Sequence, residues 1–243
     1  MDLPLIISLS LNSFFILIIV AFLYNKLKIP GIIFKFNWFK KLSPFASNIP
    51  AQFPFFVQRD SLFEVLPKTN DEIIFIGDSL TNGCEWSELF QNAKIKNRGI
   101  VSDNSAGVLN RIDKTLESKP TKIFLMIGVN DLSSDIPLNS IIRNYIGIIK
   151  KIKSISVSTE IFIQSILPTN NNLYKGKATN DKIKTLNEKL INIADEYNLI
   201  YMDIFSHLIN ADGQLDEKYS NDGVHLLGLG YLVWKQTIEK NIT

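Results

Sequence analysis

Beyond about residue 60 the apolar positions follow two alternating rhythms. Short β-branched runs at Ile73–Ile76, Ile95–Asn97, Lys122–Ile127, Glu160–Leu167 and Leu199–Ile204 predict five strands. Between them apolar residues recur at 3.6-residue spacing near 84–91, 104–118, 137–153 and 180–197, with a last stretch at 228–240, and these predict helices. In the third stretch Ile141, Ile142, Tyr145, Ile146, Ile149 and Ile152 form one apolar face, with Lys150, Lys151 and Lys153 near the helix end that attracts cations. Strands separated by helices pair in parallel through right-handed crossovers, which predicts an α/β fold: a three-layer α/β/α sandwich around a five-stranded parallel sheet. No internal repeat or low-complexity tract interrupts it.

The first sixty residues read differently. Leu3 to Leu23 carries no charged side chain, and its 21 residues rising ~1.5 Å each match a hydrocarbon core of ~30 Å. Asp2 in place of a basic leader, the length of the run and the poor cleavage chemistry of Ala21-Phe22-Leu23-Tyr24 favour an uncleaved anchor over a signal peptide or a buried core helix. No Lys or Arg precedes the run and five follow within about twenty residues, so the positive-inside rule favours the rest of the chain on the cytoplasmic side, with the exported orientation as the alternative. Ile32–Lys41 mixes aromatics with lysines, suiting either an anionic membrane surface or an arm packed on the domain, and prolines 44, 50 and 54 suggest a linker. The expected organisation is a transmembrane anchor at 1–25, a basic juxtamembrane linker at 26–59 and a catalytic domain at 60–243.

Charge sharpens that division. Residues 1–60 hold six Lys/Arg against two acids, while the rest of the chain sums to −2 out of a total of +2. A near-neutral domain without an Arg/Lys stripe has no electrostatic footprint for nucleic acid. A single cysteine, Cys84, excludes an internal disulfide, and no HExxH, CxxC or glycine-rich phosphate loop points to a metal or nucleotide.

In parallel sheets functional groups gather beyond the carboxyl ends of the strands. There the chain carries Gly77-Asp78-Ser79-Leu80, Asn97-Arg98-Gly99, Gly128-Val129-Asn130-Asp131 and Asn221-Asp222-Gly223-Val224-His225. A serine attacks at neutral pH only when an imidazole takes its proton and a third group orients that imidazole. With two histidines in the chain, His225, three residues after Asp222, is the candidate base; His207 suits a structural or surface role. Candidate donors to an oxyanion are the Ser79 N–H, the Gly99 N–H and the Asn130 amide. Asp78 and Asp131 suit loop and cap roles, and Cys84 a small core residue. Arg98 suits either an anionic part of a substrate or an exposed charge. The polar loop Asn170–Lys175, with Tyr174, lies on the same rim and suits substrate selection or plain surface.

Together these blocks resemble the SGNH hydrolase superfamily, the GDSL esterases/lipases, over about residues 70–240. Gly77-Asp78-Ser79-Leu80 with Thr81 and Gly83 is similar to its first block, Gly99 to the second-block glycine, Gly128-x-Asn130-Asp131 to the third and Asp222-x-x-His225 to the last. Gly230-Tyr231 and Trp234 resemble the branch of platelet-activating-factor acetylhydrolases and carbohydrate acetylesterases. The resemblance implies a flavodoxin-like strand order 2-1-3-4-5, Ser79 as nucleophile, His225 as base, Asp222 as orienting acid and Ser79, Gly99 and Asn130 as the oxyanion hole. It implies no metal or organic cofactor, and a small ester as substrate, carried by a carbohydrate or a lysophospholipid-like alcohol. The expected activity is hydrolysis of small acyl esters, acetyl foremost; a longer-chain lipase, lysophospholipase or thioesterase and a silent tethered binding module are the alternatives. Ser102 departs from the pattern, since relatives often carry glycine there.

Overall fold

The computed structural model describes residues 54–242. The expected anchor at 1–25, and all of the expected linker except residues 54–59, lie outside them. Among the described residues no helix is long and apolar enough to cross a membrane.

The first described element is a helix, α1 (Pro54–Val65). It runs through the boundary expected at 59/60, so residues 54–59 belong to the domain side. Pro54, read in the sequence as a linker signal, opens the helix, where proline sacrifices no hydrogen bond. Phe56 is buried, and Asp60 and Glu64 both pair with Lys114.

The sheet follows. β1 (Ile73–Gly77) leads through two short helices, α2 (Ser79–Asn82) and α3 (Trp86–Leu89), to β2 (Ile95–Gly99). Next come α4 (Ser105–Leu116), β3 (Lys122–Met126), the short α5 (Val129–Ser133) and α6 (Leu138–Ile155). β4 (Glu160–Gln164), α7 (Asn180–Tyr197), β5 (Ile200–Met202), α8 (Phe205–Leu208) and α9 (Gly228–Ile238) complete it. All pairings are parallel and the order is β2-β1-β3-β4-β5, as the resemblance implied.

Alternation along the strands builds two cores. Phe75, Phe124 and Phe162 sit side by side on β1, β3 and β4 with ring centroids 4.8 and 4.5 Å apart, and Trp86 stacks on Phe75 at 4.4 Å. Trp234 of α9 meets Trp86 edge-on at 4.8 Å. The intervening residues Ile74, Ile76, Ile123, Leu125, Ile161 and Ile163 are buried on the opposite face, where α4 and α6 pack together and α7 adjoins them.

Strand ends depart from the apolar runs for a local reason. The run to Leu167 outlasts β4: after Gln164 one further bond runs from the Ser165 N–H to Met202 O (2.9 Å), and the next N–H, that of Ile166, donates to Asn187 Oδ1 (2.8 Å) instead of to a strand. Likewise the Ile127 N–H donates to the Tyr145 hydroxyl (3.1 Å). Side chains from the flanking helices thus end the strands in the buried layer while apolar residues continue. The three strands that matter most finish level, with Gly77 opposite both Gly99 and Met126.

Candidate active site

The carboxyl edge of the sheet carries the predicted blocks. Immediately after β1, Asp78 caps α2 by accepting the Leu80 N–H at 3.0 Å. Ser79 is the first residue of that helix, so no carbonyl of the same helix reaches its N–H. Its Oγ lies 3.0 Å from His225 Nε2, and His225 Nδ1 lies 2.7 Å from Asp222 Oδ2. With Nδ1 donating to the carboxylate, Nε2 is left to accept the serine proton. Three residues 146 positions apart at their extremes are thereby brought into one line.

The loop carrying Asp222 and His225 is held by the aspartate itself. Asp222 Oδ1 accepts the N–H groups of Val224 (2.9 Å) and His225 (2.8 Å) and the Ser220 hydroxyl (3.3 Å), leaving Oδ2 for the imidazole. Gly223 sits between them at φ +83°, with no room for a Cβ: one would lie 2.7 Å from the Asn170 carbonyl and 2.8 Å from Tyr174 N. Partial burial opposes ionisation of Asp222, yet the bonds from the His225 ring and from the Val224 and His225 N–H groups outweigh it. Its carboxyl is held down at about 2. Both side chains are about half exposed, at 53% for His225 and 49% for Asp222.

Behind the serine lies a buried group of three acids. Asp103 accepts from Arg111 Nε at 2.8 Å, and Arg111 Nη2 donates onward to the Gly77 and Arg98 carbonyls at 3.2 and 2.8 Å. Asp131 accepts the Ser105 N–H at 2.9 Å and its hydroxyl at 2.5 Å. Asp78 and Asp131 thus hold the loop and the helix start, as expected. Burial pushes the Asp78 carboxyl up to about 7, and those of Asp103 and Asp131 to about 6. A folded pKa above the unfolded value means that the native state binds more protons between pH ~4 and ~7, so stability falls as pH rises through that window. The unfolding temperature is therefore expected to be higher near pH 5 than near pH 8. Asp78→Asn, whose amide oxygen can still accept the Leu80 N–H, is expected to shrink that difference. An unchanged pH slope in the variant would exclude Asp78 as its source.

Gly99 needs correction as an oxyanion donor. Its N–H donates to the side chain of Asn97 (Oδ1, 2.8 Å) and is not free for a substrate. The glycine is there for close packing: a Cβ would lie 2.3 Å from the backbone nitrogen of Asn82. Asn97, which the sequence marked only as a strand end, completes this junction by donating Nδ2 to the carbonyls of Thr81, Asn82 and Cys84 at 3.0 to 3.2 Å. The free donor lies three residues on. Asp103 N closes a turn onto Ile100 O (3.2 Å), and within it Ser102 stands exposed at φ +61°. Among the described residues nothing accepts its N–H. Asn130 reaches the same turn, donating one amide hydrogen to Asp103 O at 2.9 Å and keeping the second. The departure from glycine at 102 was the available signal, since a position that favours glycine is one with left-handed backbone.

Arg98 also needs correction. It is buried, with its guanidinium 5.0 Å from the Phe63 ring of α1, and burial lowers its pKa against the opposing charge of Glu72. It serves neither as an exposed charge nor at the serine. Tyr174 joins the two halves of the rim: its hydroxyl lies 2.7 Å from Ser133 Oγ of α5, and its backbone nitrogen lies against Gly223. Cys84 is buried, with its thiol pushed up to about 12, so it offers no competing thiolate. His207 is exposed on α8. No group of ligands that could hold a metal ion occurs among the described residues.

The chain has similar proteins of known fold. The family model for GDSL-like lipases/acylhydrolases matches residues 75–233. A Streptococcus pneumonia structure named for platelet activating factor is similar at 30% identity and a TM-score of 0.73, over 78% of this chain and 93% of its own. A Bacteroides fragilis acylhydrolase structure is similar at 21% identity and 0.67, over 80% and 97%. A Geobacillus acetyl-xylooligosaccharide esterase variant shares the fold at 16% identity and 0.59, over 72% and 96%. No curated protein matches the chain.

Proposed function

The chain belongs to the GDSL-like lipase/acylhydrolase family, and from that premise we propose that Ser79, His225 and Asp222 hydrolyse a small acyl ester through an acyl-enzyme. The observation that carries this reading is the unbroken chain from Ser79 Oγ through the His225 ring to Asp222 Oδ2. In the first half-reaction the serine proton passes to Nε2 as Oγ adds to the ester carbonyl carbon. The oxyanion is met by the N–H groups of Ser79 and Ser102 and by the free amide hydrogen of Asn130, each donor contributing about 3–4 kcal/mol. Collapse of the adduct expels the alcohol, which takes the proton from His225. Water then enters by the same route, with its proton passing to His225, its oxygen to the acyl carbon, and the carboxylic acid leaving as Ser79 recovers its proton.

A short acyl group, acetyl foremost, is the reading that the name of the similar acetyl-xylooligosaccharide esterase suggests. In a p-nitrophenyl ester series from acetyl to palmitoyl, turnover is expected to be highest for the two or three shortest chains, with a fluorophosphonate probe labelling the protein. A maximum at eight carbons or longer would replace this reading with the lipase one. Residues 1–25 are read as a membrane anchor on their composition, a reading that the next test also examines.

A further inference from the structure

Helix α1 lies beside α4 and runs in the same direction. Asp60 and Glu64 pair with Lys114, Lys68 beyond the helix pairs with Glu117, and the charge of Asp60 is felt by Asp103. Asp103 stands on the catalytic rim, whereas Glu117 follows the end of α4 at the opposite pole of the sheet. The start of α1 is therefore at the rim, on the side where Ser79 and His225 lie, and 53 residues precede it in the chain. Those residues include the uncharged run Leu3–Leu23 and the five lysines after it.

The same rim exposes several large apolar side chains. Phe55 and Val57 (54% exposed) open α1 and Val101 precedes Ser102. Leu173 lies against Gly223, and Leu227 and Leu229 (57% exposed) follow His225. Exposed apolar side chains beside a polar catalytic centre, in a chain that also carries an uncharged leader, match the chemistry of a lipid surface: hydrocarbon below and hydrated polar groups at its level. We infer that the catalytic rim docks on a lipid bilayer, and that the ester reaching Ser79 is an amphiphile presented by that bilayer with its short acyl group in the headgroup layer. The identity of the ester rests on the esterase reading above, whereas the docking does not.

The full-length chain, reconstituted with vesicles of phosphatidylcholine and phosphatidylglycerol, tests both parts. Leu229→Trp on the rim is compared with Val157→Trp, which stands 82% exposed between α6 and β4 at the opposite pole. Relative to the parent chain, lipids brominated on their acyl chains are expected to quench the tryptophan at 229 and to spare the one at 157. Equal quenching at the two positions overturns the docking, as does a chain that does not associate with vesicles. So does burial of 229 that depends on protein density rather than bromine, which would assign the face to a second copy. In the second arm, Phe55→Ser, Val57→Ser and Leu229→Ser combined are expected to slow hydrolysis of a vesicle-borne acetyl amphiphile about tenfold, while p-nitrophenyl acetate in solution changes less than about twofold. Equal loss on both substrates counts against docking. A parent chain inactive on both overturns the esterase reading, while the quenching comparison still decides the docking.

Discussion

Ser79→Ala is expected to lower kcat for p-nitrophenyl acetate by on the order of 10⁴- to 10⁶-fold and to abolish fluorophosphonate labelling. The size follows from what alanine removes. Without Oγ there is no acyl-enzyme, and the remaining oxyanion donors and the imidazole can act only on water, which leaves a residual rate well below turnover. Cys84 is no substitute nucleophile, since it is buried with its thiol pushed up to about 12. The fold should be indifferent: alanine is a good helix former, and the hydroxyl bonds only a half-exposed ring. The unfolding temperature is therefore expected to stay within about 2 °C of the parent, as for other surface substitutions. Activity retained within tenfold of the parent would remove Ser79 from the mechanism.

Asp222→Asn is the second large effect, on the order of 10⁴-fold in kcat. Asparagine keeps Oδ1, which accepts the N–H groups of Val224 and His225, so the loop still folds. What changes is the other terminus. An amide NH₂ replaces the oxygen 2.7 Å from His225 Nδ1, and two donors cannot face each other. The ring responds by moving its proton to Nε2, which then points a donor at Ser79 and cannot take the serine proton. The loss should fall on kcat with KM little changed. Asp222→Ala, lacking Oδ1 as well, should also lower the unfolding temperature. A loss below tenfold in the asparagine variant would show that the imidazole needs no orienting carboxylate. The acid arm of the pH–rate profile should not come from Asp222, whose carboxyl at about 2 stays ionised across the working range.

Much of this site was legible before any coordinates. Two histidines limited the choice of base, and only His225 had an aspartate at a spacing that lets one carboxylate serve a backbone turn and a ring together. The sheet was legible too, because Ile73–Ile76 and its counterparts are apolar on both faces, as central parallel strands must be. Less legible were elements whose reason lies elsewhere in the chain. Helix α1 has little amphipathic pattern of its own; it is pinned by Lys114, some fifty positions away, and by the stacking of Phe63 on Arg98. The short α5 and α8 are single turns, too brief for periodicity to register.

The correction at Gly99 marks the boundary most clearly. Residue type at one position says that a backbone can come close to something, but not to what. Here the close partner is the Asn82 backbone, and the N–H is spent on Asn97. The donor left over is Ser102, in a turn whose left-handed residue ordinary sequence patterns assign to glycine. The amino-acid sequence by itself determined the strand rhythm, the rim on which the candidate groups gather and the candidate nucleophile, base and acid, because period and side-chain chemistry are local properties. Only the tertiary structure decided which N–H groups remain free, that Arg98 is buried beneath α1, that three carboxylates share one buried wall, and that α1 begins at the catalytic rim. Each of those depends on which atom of a distant residue arrives first, and packing settles that where pattern cannot.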